Sequence, residues 1–170
     1  MGDSETGEKT YKIGDFGPAE GIVFYDKGFT SDGWRYLETA PTGTVDLAWW
    51  RGPYSTEQRV DGTETVIGSG WRNTRRIIAA SARSDTNAVK MCASLKVFGY
   101  KDWFLPSKDE LNLMYETLKQ KSISGIKSGA YWSSSETSMY TAWFQRFMDG
   151  YQSGDGDKKH PFYVWAVRAF

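Results

Sequence analysis

The chain carries one cysteine and one histidine, so its supply of sulfur and imidazole ligands is almost nil. Cys92 alone cannot form an intrachain disulfide, and with His160 it falls short of any zinc site built mainly from these two residue types. A dominant charge is missing too: 21 basic against 21 acidic residues give a formal net charge of zero, leaving no global field to draw nucleic acid or an anionic membrane. No apolar run approaches the roughly 20 residues that span a bilayer, and the opening Met1 to Glu8 lacks a signal-peptide core. Either the chain is cytoplasmic, or a targeting segment has been trimmed ahead of a charged, small-residue start that reads as a linker.

Aromatics, in contrast, are abundant, with eight Trp, ten Tyr and nine Phe in 170 residues. Trp and Tyr join a large apolar body to one polar atom, which suits contact surfaces and equally suits the pinning of irregular loops. The length fits a polar, mobile segment over residues 1–10 followed by a single domain over 11–170.

Strand patterns appear at Tyr11 to Ile13, Gly21 to Tyr25 and Trp34 to Glu38, separated by Gly/Pro and Asp-Gly turns. From Ala40 to Gly70 periodicity is lost, and Pro41, Pro53 and the pair Trp49-Trp50 suggest a long surface loop anchored by aromatics. Helical spacing follows from Thr74 to Ala82, and again from about Asp85 to Gly99 with Ala88, Cys92 and Leu95 on one stripe. Ser107 with Glu110, after Pro106, forms the pattern of a capping box, and Leu111, Met114, Tyr115 and Leu118 share a face behind it. Two strand-like runs, Ala142 to Phe147 and Val164 to Phe170, flank the polar, Gly-rich stretch Asp149 to His160, predicting a long hairpin with an exposed connection. Ending on alternating apolar residues, the last run is expected inside a sheet. Strands, loop, helices and strands in that order give an α+β domain with a mostly antiparallel sheet, two or three helices and long loops, in which first and last strands can lie together.

Val66-Ile67-Gly68-Ser69-Gly70-Trp71-Arg72-Asn73-Thr74, Gly99-Tyr100-Lys101-Asp102-Trp103-Phe104-Leu105-Pro106-Ser107-Lys108-Asp109-Glu110-Leu111, Tyr131-Trp132-Ser133-Ser134-Ser135-Glu136 and the closing Val167-Arg168-Ala169-Phe170 resemble the Lcl C-terminal-like domain family. That family takes its name from the end domain of a collagen-like bacterial adhesin. The resemblance implies a C-type-lectin-like fold with adjacent termini and a ligand face made by loops and a late hairpin. It also implies an exported, cell-surface or phage-associated protein, and some similar proteins are varied at exposed C-terminal positions by diversity-generating retroelements. Collagen-linked relatives allow a homo-oligomer such as a trimer. This chain departs from its relatives at Trp165, where a small or basic residue is common, and at Phe144, where a polar one is frequent.

Strand alternation puts Tyr140, Phe144, Arg146 and Met148 on one face and Trp143, Gln145 and Phe147 on the other. If Trp143 and Phe147 are core, the first set is exposed, and with Tyr151 and Trp165 it forms a candidate contact surface of the residue types enriched at interfaces. The competing reading is that the 40–70 loop covers that face. The expected function is thus a non-enzymatic module binding a protein ligand. The alternative is an adhesin domain binding sulfated glycans through Arg72, Arg75 and Arg76, with Arg83 nearby, since guanidinium forks suit sulfate.

Other constellations carry less. His160 lies in a polar turn beside Pro161, Cys92 on an apolar stripe, and Asp109 with Glu110 at a helix start, where each has a structural explanation. Asp155-Gly156-Asp157 lacks the later glutamate of a calcium loop, and Gly68-Ser69-Gly70 reads as a turn rather than an anion cradle. No catalytic residue, metal or cofactor is expected, and the ligand is not named by the sequence.

Overall fold

A computed structural model describes residues 9–41, 45–49, 59–81, 87–123 and 126–170, with side chains omitted over 45–48. The expected mobile start over residues 1–8, Trp50, Pro53, Arg83 and the helix start at Asp85 lie outside the described residues. In chain order the elements are β1 (Val23–Ser31), β2 (Trp34–Thr39), β3 (Val45–Ala48), α1 (Gly70–Ala80), α2 (Ala88–Ser94), α3 (Lys108–Gln120), β4 (Ala130–Glu136), β5 (Thr141–Arg146), β6 (Gln152–Asp157), β7 (Pro161–Val164) and β8 (Val167–Ala169). They form an α+β domain with two sheets in place of the one expected, ordered β1-β2-β8 and β3-β7-β4-β5-β6.

Every described strand pair is antiparallel except β4 with β7. The last strand does enter a sheet, although its neighbour is β2 rather than β1: Leu37 faces Ala169 and Thr39 faces Val167. A bridge from Phe104 to Val167 attaches the segment before α3 to the same strand. Tyr11 to Ile13 forms no strand; Tyr11 instead packs its ring edge-on against Tyr36 and Phe170. Half of the stretch read as a long connection is β6, which takes the place beside β5 that the hairpin reading gave to the closing run, and the stretch read as a surface loop contains β3.

α3 forms as its sequence dictates. The Ser107 hydroxyl accepts from the Glu110 N–H and the Glu110 carboxylate accepts from the Ser107 N–H, so both halves of the capping box are made. Behind it Leu111, Met114 and Leu118 are at most 1% exposed, a burial worth about 1.5–3 kcal/mol for each side chain. They pack with Phe24, Leu37, Tyr131 and Phe147 in one of two apolar clusters. The other gathers α1, α2, Trp49, Trp103 and Trp132. Cys92 is fully buried there, and loss of hydration pushes its thiol pKa far up, as expected of an inert sulfur.

α1 begins at Gly70, four residues before the expected Thr74, because its first turn has a remote anion. Ser69 gives no side-chain cap and the first turn holds no acidic residue. Glu110 of α3 supplies the missing charge, its Oε1 accepting from the N–H groups of Gly68 at 2.8 Å and Gly70 at 3.4 Å. A Cβ at Gly70 would collide with that carboxylate and with the Phe104 ring, which is why glycine stands there. Burial pushes the Glu110 pKa up to about 7 against the pull of these N–H donors.

Candidate functional site

The outer part of the five-stranded sheet is where the sequence places a ligand surface, and its geometry follows from β5. One face of this strand turns to α3. Gln145 there is fully buried and donates to Asn112 at 2.8 Å and to the Gly150 carbonyl at 3.2 Å. Phe147, 9% exposed, stacks on Tyr131 with ring centres 4.0 Å apart. Trp143, expected in the core with them, is only half-buried, with the Lys108 ammonium 5.0 Å from its ring centre. Its neighbour on the edge strand β6 is Gly154, where a Cβ would stand 3.1 Å from the indole.

The opposite face is neither bare nor closed. Phe144 is half-buried, 4.9 Å from Phe162, 6.3 Å from the fully buried Trp132 and 6.5 Å from Tyr151. His160 continues the row at 4.8 Å from Phe162. The result is an aromatic lane, His160–Phe162–Phe144–Tyr151, with Trp132 beneath it. Gly156 makes the lane possible: a Cβ there would stand 2.6 Å from Trp132 and 2.8 Å from Phe144. At the two ends of β5, Tyr140 and Met148 are 57% and 64% exposed, and Tyr151 is 52% exposed.

Arg146 is half-buried and held in place, with Nε and NH2 donating to Asp149 at 2.9 and 2.5 Å and its guanidinium 5.2 Å from the Tyr151 ring centre. This pairing, before all else, holds the Asp149 carboxyl down at about 2. Trp165 does not join the surface. Its Nε1 donates to the Ala40 carbonyl at 2.8 Å and its ring packs against both apolar clusters, 6.2 Å from Tyr131. Phe162 and His160 were not among the expected surface residues, because the hairpin reading started its second strand at Val164 and left residues 161–163 out, whereas Pro161–Val164 forms β7 beside β4; the alternating Phe162 and Val164 were the available signal.

The three arginines of the alternative site are exposed but point to separate partners. Arg72 pairs with Glu64 at 3.1 Å, Arg76 donates to the Asp61 carbonyl at 3.3 Å, and Arg75 lies over the Trp71 ring at 4.8 Å. Arg83 lies outside the described residues. Among the described residues no cluster of three His, Cys, Asp or Glu could hold a metal ion, and no helix is long and apolar enough to cross a membrane.

The quoted motifs turn out to build the scaffold. Arg168 of the closing run donates to Asp102 and Glu38 while lying 4.0 Å from the Tyr100 ring centre. Ser134 and Ser135 are buried and bond Pro106, Asn73 and the Glu64 carbonyl, so the serine run of β4 ties down the loops ahead of α1 and α3. Glu136, almost fully buried, pairs with Lys158 and accepts from the Val60 N–H at 2.7 Å. Comparison with curated proteins gives no match. The model of the Lcl C-terminal domain family matches residues 43–168, the stretch that holds these scaffold contacts apart from Glu38, and the chain therefore belongs to that family of C-type-lectin-like, generally non-catalytic binding domains.

Proposed function

We propose that this domain is a non-enzymatic binding module that takes a protein ligand on the outer face of β5 and β6. The observation behind this reading is the aromatic lane: four rings in line, immobilised by one another and by Trp132, on a face edged by the exposed Tyr140, Met148 and Tyr151. Rings already fixed in place lose little conformational freedom on binding, and the Arg146–Tyr151 stack, held by Asp149, adds a rigid edge to the lane. Phe144, Arg146, Tyr151, Tyr140 and Met148 supply the contact area, joined by Phe162.

The arginine-based glycan site has less behind it, because its three guanidinium groups diverge to different partners. Export to a cell or phage surface, and variation of the exposed β5–β6 positions among sister copies, extend the proposal. Sequencing near-duplicates of this gene segment beside a reverse transcriptase would test the second.

The binding test is selection of displayed random peptides on the domain. Enriched peptides should lose about tenfold or more in affinity when Met148 and Tyr151 are replaced by alanine, two exposed positions whose loss leaves the fold intact. Peptides indifferent to both changes, and to Phe144→Ala, defeat the proposal.

A further inference from the structure

A cleft of about 660 Å³ opens between the β1–β2 hairpin and the start of α1. A second, of about 440 Å³, follows the outer side of α1 toward residues 101–103. Trp71 and Asp102 line both, so the two clefts adjoin as the two parts of a groove that meet at Trp71, 47% exposed. Its base is apolar: Leu37 and Phe104 under the first part, Ile78 and Trp103 under the second.

The charges around that base are unbalanced. Lys27, Arg72, Arg75 and Lys101 line the groove against Asp32, Asp102 and Glu110. Asp102 is committed to a two-pronged pair with Arg168, and Glu110 is enclosed by the N–H groups of Gly68, Gly70 and Ser107. Arg72 has Glu64, but among the described residues neither Arg75 nor Lys101 has a carboxylate partner. Arg75 also rides 4.8 Å from the Trp71 ring centre, so a cation and a large apolar face are offered together. A ligand satisfying both needs anionic groups interspersed with a bulky apolar one.

We propose that this groove docks an acidic, extended peptide segment of a partner protein, seating an aromatic side chain against Trp71 and carboxylates on Arg75 and Lys101. A polysulfated glycan fits less well. Its charge repeats along the chain and would call for a dense cationic patch, whereas these cations are spaced along an apolar base that only a hydrophobic side chain would fill. The groove is separate from the aromatic lane of β5–β6, and the inference does not depend on that surface.

The experiment titrates the isotope-labelled domain with blocked peptides of sequence EDFED, EDAED and KKFKK, and with dextran sulfate, following the indole N–H resonance of Trp71 at low salt. EDFED should bind and shift this resonance, EDAED should bind about tenfold more weakly, and KKFKK should not bind. Arg75→Glu and Trp71→Ala, both at exposed positions and checked for an unchanged melting temperature, should each weaken EDFED about tenfold. Tyr151→Ala should leave it unaltered. Absence of EDFED binding, indifference to both groove variants, loss on Tyr151→Ala instead, or dextran sulfate binding at Trp71 that EDFED cannot displace would each overturn the proposal.

Discussion

Arg168 and Asp102, 66 residues apart, meet fork to fork, with Nε to Oδ1 and NH2 to Oδ2 both at 3.0 Å, while NH1 of the same guanidinium reaches the fully buried Glu38 at 2.7 Å. One arginine thus ties β8 to β2 and to the segment ahead of α3, in a box closed by Tyr100 and Phe170. Glu38 in turn accepts from the N–H of Ala19 and Gly21, so the charge pair also orders the turn before β1.

Removing this arginine leaves Glu38 buried without its cation. Arg168→Met should cost about 3 kcal/mol of unfolding free energy. Adding Glu38→Gln should recover part of that loss, because the stranded charge is gone. Urea unfolding of both variants checks it, and a double variant no better than the single one would show that the Glu38 charge is not what makes the loss large.

Glu110 should leave a mark on the pH dependence of stability. Burial raises its folded-state pKa from an ordinary 4.5 to about 7. Between those values the folded chain holds a proton that the unfolded chain has released, so the contribution is complete below about 4.5 and is lost as pH rises through about 7, a change on the order of 3 kcal/mol. Glu110→Gln stays neutral throughout and should lack this slope. Unfolding free energies of both proteins from pH 4.5 to 8 give the difference, and a wild type that gains stability relative to the variant over this range would contradict the sign.

The aromatic lane depends on a missing side chain. Gly156→Ala would bring a methyl against Trp132 and Phe144, and overpacking of this kind costs about 1–3 kcal/mol. The ring that can move is the half-buried Phe144, so the variant should also alter whatever binds the lane. Thermal unfolding together with aromatic NMR resonances of Phe144 would show both effects, and an unshifted Phe144 with unchanged stability would disprove the close approach.

Cys92 should be silent toward thiol reagents in the native state, since it is fully buried and its pKa lies well above the ordinary range. Labelling by a chromogenic disulfide should proceed only as fast as the domain opens and should accelerate with urea. Fast stoichiometric labelling in buffer alone would place the sulfur at the surface.

What the sequence disclosed well was local. The capping box and apolar stripe of α3 need only residues a few positions apart, and the order of strands and helices was enough for the α+β class. What it hid was decided at a distance. Gly68-Ser69-Gly70 looks like a turn until the carboxylate of Glu110, forty positions beyond Gly70, satisfies the N–H groups of both glycines and starts α1 there. Ser153 to Asp157 have turn composition, yet form an edge strand because Trp132 and Phe144 need the space above Gly156. Trp165 was expected outward because it departs from the residues common in relatives, but residues 165 and 166 lie between β7 and β8, where the chain passes from one sheet to the other and the indole is drawn between the two apolar clusters. In β5 the expected alternation holds only beyond a register shift between Ala142 and Phe144: Gln145 and Phe147 are inside while Phe144 and Arg146 are half-buried, but before it Ala142 is fully buried and Trp143 only half-buried.

A strand as poor in side chains as β6 would ordinarily slide along its neighbour at little cost. The ammonium of Lys158, one residue past its end, is buried against Glu136 and 4.5 Å from the Trp49 ring centre, and it can reach that carboxylate in one alignment only. A slip by a single position would strand a charge in an apolar interior. The alignment of this edge is therefore pinned twice, by Lys158 at its terminus and by Gly156 against Trp132 and Phe144, and the exposed Asp155 is left free to change identity without the ribbon losing its place.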